Sequence, residues 1–281
     1  MKVTDFTIRD PFILPYNGIY YLYASDYHHD FMVYTSTDLE NWADPVKVTN
    51  LPENFWATKD FWAPEVHIYK GCFYLFATMY SENRNRGTQI FRADSPLGPF
   101  LPISDDPATP ADWMCLDGTL YVEDGNPYMI FCHEWLQIQN GTVCYVPLRE
   151  DLSQPIAEPK VMFAAKDYDF VRLCPGVNGF PGGGYVTDGP FLHRCQNGDL
   201  LMIWSSFGEK GYLQSVLRSH NGRLDGNWIA QNLLFETDGG HGMLFTDFDG
   251  QLRLALHHPN SGPERLTLFS LLEENGKLTL Q

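Results

Sequence analysis

One hairpin pattern, repeated five times, governs what this sequence can fold into. The segments "DPFIL", "APEVH", "DGTLY", "DGPFL" and "HGMLF" begin at Asp10, Ala63, Asp117, Asp188 and His241, with spacings of 53, 54, 71 and 53 residues. Each start is followed 8 to 10 residues later by a turn glycine: Gly18, Gly71, Gly125, Gly198 or Gly250. A second apolar run follows each glycine (IYYLYAS, CFYLFATM, NPYMIFCHE, DLLMIWSS, QLRLALHH). A third run comes next, closing in three copies on Trp42, Phe100 or Trp228. Two apolar runs joined by a glycine-bearing turn read as a β-hairpin. Consecutive antiparallel strands in units of about fifty residues predict an all-β, five-bladed β-propeller, with residues 1–281 as its single domain. Residues 1–9 precede the first inner strand and are expected to form the outer strand of the last blade. Trp42 and Trp228 are expected to pack between blades. The long third spacing carries about 17 extra residues near 167–185, including "GFPGGGY", read as an insertion on the rim of a site. No helix follows that glycine run, so it is not a dinucleotide loop.

Composition narrows the partners. Nineteen basic against 35 acidic residues leave a formal charge of −16, which repels nucleic acid and strongly acidic substrates and favours a neutral one. Hydrophobic residues make up 44% and aromatics 15%, enough for a large ordered core rich in strand formers. No apolar run approaches the roughly 20 residues that span a bilayer, so no membrane partner is expected. The start MKVTDFTIRD lacks an apolar signal segment, and a cytoplasmic location is the expectation. None of the six cysteines falls in a C-x-x-C pair, so they read as reduced and structural rather than as zinc ligands.

In a propeller the first strand of each blade lines the central channel, so the five starts converge at one end of it. The sequence aligns Asp10, Asp117, Asp188 and His241 there in one phase, a costly gathering of charge for folding alone. The second strand of each hairpin returns to the same mouth. It brings Ser25-Asp26, His133-Glu134, Ser205-Ser206 and His257-His258. Glu65 lies two residues into its strand, and Phe12, Trp62, Trp135 and Phe191 supply rings nearby. Carboxylates and aromatics around a funnel suit a sugar, whose C–H faces stack on rings while its hydroxyls bond carboxylates. Phe12, Trp62, Glu65, His133, Trp135, Ser205 and His257 are therefore candidate substrate-binding residues. His28-His29 read as a solvated loop, and Ser205-Ser206 lacks the context of a triad serine. Paired carboxylates in a pocket are the apparatus of glycoside hydrolysis: one ionised to activate water, another protonated for the leaving oxygen.

The pieces "RDPFIL", "FWAPEVH", "LDGTLYVEDGNPYMIF", "TDGPFL" and "GGHGMLF", in that order along nearly the whole chain, resemble glycoside hydrolase family 43. That family includes arabinofuranosidases, xylosidases and arabinanases. The resemblance implies an inverting hydrolase with Asp10 as general base and Asp117 orienting the acid and raising its pKa. It implies that His241 sits near the channel centre beside a structural calcium or a water cluster, with no cofactor required for the chemistry and a neutral oligosaccharide as partner. The chain departs from the family at Asp188, where the pattern is Glu-Gly-Pro. An aspartate reaches about 1.5 Å less. Either Asp188 is the donor, or Glu134 of "CHEW" replaces it, or the site binds sugar without cleaving it. A fructoside hydrolase of the related clan is a further alternative. The insertion beside Asp188 leans the reading toward exo action.

Overall fold

A computed structural model describes residues 1–25, 30–176 and 180–281. The strands group into five four-stranded antiparallel sheets, each in sequential order. Blade 1 comprises β1 (Arg9–Tyr16), β2 (Ile19–Ser25), β3 (Met32–Ser36) and β4 (Val46–Lys47). Blade 2 comprises β5 (Lys59–Tyr69), β6 (Cys72–Ser81), β7 (Arg84–Ala93) and β8 (Leu101–Pro102). Blade 3 comprises β9 (Cys115–Glu123), β10 (Asn126–His133), β11 (Thr142–Pro147) and β12 (Lys160–Ala164), with a single-turn helix α1 (Trp135–Ile138) after β10. Blade 4 comprises β13 (Asp188–Arg194), β14 (Leu200–Gly208), β15 (Gly211–Ser219) and β16 (Trp228–Phe235). Blade 5 comprises β17 (Gly240–Thr246), β18 (Leu252–His258), β19 (Arg265–Glu274) and β20 (Lys277–Leu280). Inner strands touch in the order β1, β5, β9, β13, β17 and back to β1, which closes the propeller. The hairpin turns form where the sequence places them: Asn17 (φ 50°) and Gly18 (φ 77°) both take the left-handed conformation that a two-residue hairpin turn demands. Apolar faces of adjacent blades interlock. Trp42 packs in a cluster drawn from blades 1, 2 and 5, and Trp228 in one from blades 3 and 4.

Two expectations are corrected. The outer strand of blade 5 is β20, from the end of the chain, not residues 1–9. The N-terminal segment instead lies on blade 1, with Trp42 N donating to Met1 O at 2.8 Å. It meets blade 5 through Ile8 N donating to Glu264 O at 3.2 Å. Each blade thus closes with its own four strands. The second correction concerns phase. Every inner strand carries a register shift near its start. At that bulge one residue turns left-handed: Asp10 (φ 53°), Ala63 (43°), Asp117 (56°), Gly189 (49°) and His241 (49°). Asp188 is therefore not in phase with Asp10 and Asp117; Gly189 is. Asp188 pairs with Ser205, as Arg9 pairs with Ser25 and Gly240 with His257. One residue separates "DPF" from "DGPF", and alignment on the aspartate conceals it.

The bulge turns each of these amides toward the preceding blade. Ala63 N donates to Ser25 Oγ (2.7 Å), Asp117 N to Thr78 Oγ1 (2.8 Å), His241 N to Ser205 Oγ (2.7 Å) and Asp10 N to His257 Nδ1 (3.3 Å). The acceptors occupy equivalent places, each paired with the residue just before its own bulge. In blade 3 that place holds Cys132. There Gly189 N donates to the Asp117 carboxylate instead, at 3.0 Å.

Gly189 and Gly18 share a left-handed backbone but not the same space. A Cβ on Gly189 would lie 2.7 Å from His241 Cδ2, whereas one on Gly18 would meet nothing within 4 Å. Gly18→Ala should cost about 1–2 kcal/mol from the backbone alone. Gly189→Ala should cost roughly 1–3 kcal/mol more, because His241 must move. Denaturant midpoints read the difference, and equal losses would mean that His241 is loosely held.

Candidate active site

Asp10, Asp117 and His241 reach the channel mouth from their bulges, and Asp188 leans in from the preceding position. With Glu134 they line a cleft of about 730 Å³. His241 Nδ1 stands among the carboxylates, 3.1 Å from Asp10 Oδ1, 3.8 Å from Asp188 Oδ1 and 3.9 Å from Asp117 Oδ2.

The three aspartates differ in environment. Asp10 is buried; Ser25 Oγ donates to its Oδ2 at 3.0 Å, and Arg9 Nε lies 3.5 Å from its Oδ1. Burial alone would raise its pKa. The charges of His241 and Arg9 outweigh that and hold the carboxyl well below the usual range, so Asp10 is ionised. Asp117 is driven the other way. Burial, then the charge of Asp188 and a hydrogen bond with it, raise Asp117 well above the ordinary value. Asp188 also accepts a hydrogen bond from the Tyr212 hydroxyl. The Tyr212 ring stacks on His257 at 5.6 Å, and His257 Nε2 faces Asn260 Oδ1 at 3.2 Å. One aromatic pair thus links the supports of Asp10 and Asp188.

Glu134 occupies the opposite wall in an ion pair with Arg86, whose guanidinium also donates to Asp60 Oδ2 at 2.7 and 3.1 Å. Burial raises Glu134, and Arg86 opposes the rise. The same guanidinium lies 4.3 Å from the Trp62 ring centre, pinning that indole while its other side stays open, 38% exposed. Trp135 lines the cleft with Leu136 from α1. Phe180 meets Trp135 edge-on at 6.2 Å, and Cys174 also lines the cleft, so the insertion stands on the rim.

The other candidate binding residues do not line this cleft. Ser205 and His257 are fully buried as acceptors of the inter-blade amides. Phe12 packs against His67 and Phe191 lower in the channel. Glu65 is bound to His67 at 2.9 Å. His133 stacks on Trp113 and bonds Gln137 at 2.7 Å. A strand end delivers a residue to the mouth, but the pleat decides whether its side chain faces ligand or neighbour. Asp26, His28 and His29 lie outside the described residues. Sequence reading missed Tyr212, Arg86, Asp60, Arg9 and Asn260. Only Arg9, in "RDP", had a signal; the rest stand outside the repeated hairpin starts.

The expected calcium can be tested against the donors. His241, Asp117 and Asp188 offer one nitrogen and two carboxylates within 4.8 Å of one another. Calcium takes 6–8 oxygens. This set supplies two carboxylates toward such a shell, whose remaining oxygens would come from water, and no step below depends on an ion.

The family model for glycosyl hydrolases family 43 matches residues 3–273. Among solved structures, the endo-arabinase from Bacteroides thetaiotaomicron VPI-5482 is 37% identical, with a TM-score of 0.93, covering 99% of this chain and 98% of that one. An endo-1,4-beta-xylanase from the same organism superposes with a TM-score of 0.80 at 23% identity, over 98% and 94% of the two chains, a likeness of fold. The extracellular exo-alpha-(1->5)-L-arabinofuranosidase ArbA of Cellvibrio japonicus (strain Ueda107) is 23% identical over 72% of this chain. The match spans 59% of that protein's length.

The raised Asp117 yields a stability test. Its carboxyl binds a proton more tightly folded than unfolded, so its contribution is fully present below the ordinary carboxylate range and is lost as pH rises toward the raised value. Asp117→Asn removes that loss. Its melting temperature should exceed wild type by a few degrees at about pH 8, with the gain shrinking toward about pH 4. A pH-independent difference would contradict the raised value.

Proposed function

Because the chain belongs to glycosyl hydrolases family 43, we propose that it cleaves arabinofuranosyl linkages in neutral plant-type oligosaccharides by a single displacement with inversion. The observation that carries this reading is the contrast within one cleft: Asp10 held ionised, and Asp117, against Asp188, raised well above the ordinary carboxylate range. The arabinose preference is supported by the 37% identity to a protein described as an endo-arabinase. A xylosyl substrate would meet the same acid–base pair.

Asp10 takes a proton from water as its oxygen bonds the anomeric carbon. Asp188 gives its proton to the departing glycosidic oxygen, and the aglycone leaves as an alcohol. Asp117 lies against Asp188 and orients it, and Tyr212 fixes the other Asp188 oxygen. Glu134 is the poorer donor because Arg86 occupies one of its oxygens. Asp10 Oδ1 and Asp188 Oδ1 share His241 Nδ1 as neighbour at 3.1 and 3.8 Å, which caps the separation of these two oxygens at the sum of those distances. Trp62 offers an open ring face to the sugar.

The donor is identified by leaving group. A dinitrophenyl arabinofuranoside needs no proton to depart; an arabino-oligosaccharide does. Asp188→Asn should spare the first and slow the second by about 10²–10⁴-fold, while Asp10→Asn slows both by about 10³-fold. If Glu134→Gln gives the split instead, Glu134 is the donor. Equal loss on both substrates in Asp188→Asn and Glu134→Gln alike would overturn the acid–base assignment.

A further inference from the structure

At the end of blade 4 away from the cleft, His193 of β13 and Cys195, just beyond it, meet Glu273 of β19 in blade 5. His193 Nε2 lies 2.7 Å from Glu273 Oε2, and Gln196 N donates to Glu273 Oε1 at 2.7 Å. The imidazole nitrogen, the sulfur and a carboxylate oxygen all fall within 4.8 Å of one another. Cys195 is 3% exposed, whereas the side chains of His193 and Glu273 keep 19% and 11%. The sulfur therefore closes the inner side while the other two donors reach solvent.

We propose that His193, Cys195 and Glu273 form a binding site for a zinc-class divalent cation that clasps blade 4 to blade 5. The donor set selects the ion. One nitrogen, one sulfur and one oxygen suit zinc or cobalt, whereas calcium and magnesium favour oxygen alone. Three protein ligands leave one tetrahedral position for water, on the side where the cluster meets solvent. The hairpin turn holds the cysteine in place: Cys195 N donates to Asp199 O at 2.8 Å, and Gly198 N to Cys195 O at 2.9 Å. Two ligands come from one inner hairpin and the third from a strand 80 residues away from His193, so an ion here would cross-link the two blades.

Electrostatics agree with this placement. Burial and then the charge of Glu273 push the Cys195 thiol up to about 12. Without a cation His193 and Glu273 meet each other directly. A dication reverses the balance: the sulfur forms its bond to the metal, its proton passes to solvent, and the carboxylate gains a second positive neighbour. This cluster differs from the one at the cleft, which contains no sulfur. The five other cysteines belong to no such donor group among the described residues.

The probe is cobalt(II) added to the whole chain after stripping with a chelator. One equivalent should produce a near-ultraviolet thiolate-to-cobalt charge-transfer band, which zinc displaces. Cys195→Ser should abolish the band, His193→Gln should weaken binding, and Cys72→Ser should change neither. Zinc at about a hundredfold excess over its dissociation constant should raise the wild-type melting temperature by roughly 5 °C and leave Cys195→Ser unmoved. A chain with no band, or a band that survives Cys195→Ser, would overturn the proposal and leave the cluster as an inter-blade hydrogen bond.

Discussion

The structure depends on one repeated interaction. At the bulge of each inner strand an amide points at the blade before it, and in four of the five blades it finds a side chain at one fixed place: Ser25, Thr78, Ser205 or His257. A buried amide without a partner costs roughly 1–3 kcal/mol, so this ring of acceptors permits the bulges. The bulges in turn aim Asp10, Asp117 and His241 into the channel. Blade 3 has a cysteine at the acceptor place, and the amide of Gly189 bonds the Asp117 carboxylate instead. Fold closure and active site thus share an atom there. Asp117 is a structural acceptor and, in the proposed mechanism, also the group that orients its neighbour.

The same economy of position sets the electrostatics. Two buried aspartates and a half-buried one around one histidine would repel one another if all were ionised. The protein divides them. Asp10 lies nearest His241 and Arg9, and stays charged. Asp117 lies against Asp188, and burial together with that neighbour's charge raises its carboxyl well above the ordinary range. Two carboxyls in different protonation states within one cleft is what acid–base cleavage of a glycoside requires, and it follows here from which cations each one touches. The opposite wall runs on a separate network, in which Arg86 ties Glu134 to Asp60 and steadies Trp62.

Much of this was legible in the sequence because a repeat multiplies a weak signal. No single hairpin distinguishes a propeller from any other antiparallel sheet, but five in register do. Asp10, Asp117, Asp188, Glu134, Trp62, Trp135 and His241 reach the cleft as the repeat implies. The failures have distinct causes. Asp188 sits one residue out of phase because a glycine is inserted at the bulge, and identity of residue type hides a shift of backbone. Ser205 and His257 stand at the mouth by sequence yet face the neighbouring blade. Tyr212 and Arg86 lie on third strands, β15 and β7, where nothing repeats to mark them. The N-terminal segment carried no pattern to show that β20 already completes the last blade.

The central claim is that Asp10 delivers a water to the face opposite the leaving group. Proton NMR of freshly hydrolysed arabino-oligosaccharide tests it directly, read before the product mutarotates. The account predicts that the first reducing sugar to appear has the anomeric configuration opposite to that of the bond cleaved, with the original anomer growing in only afterward. First appearance of the original anomer would mean that a carboxylate attacks the sugar itself, and would contradict the role given to Asp10.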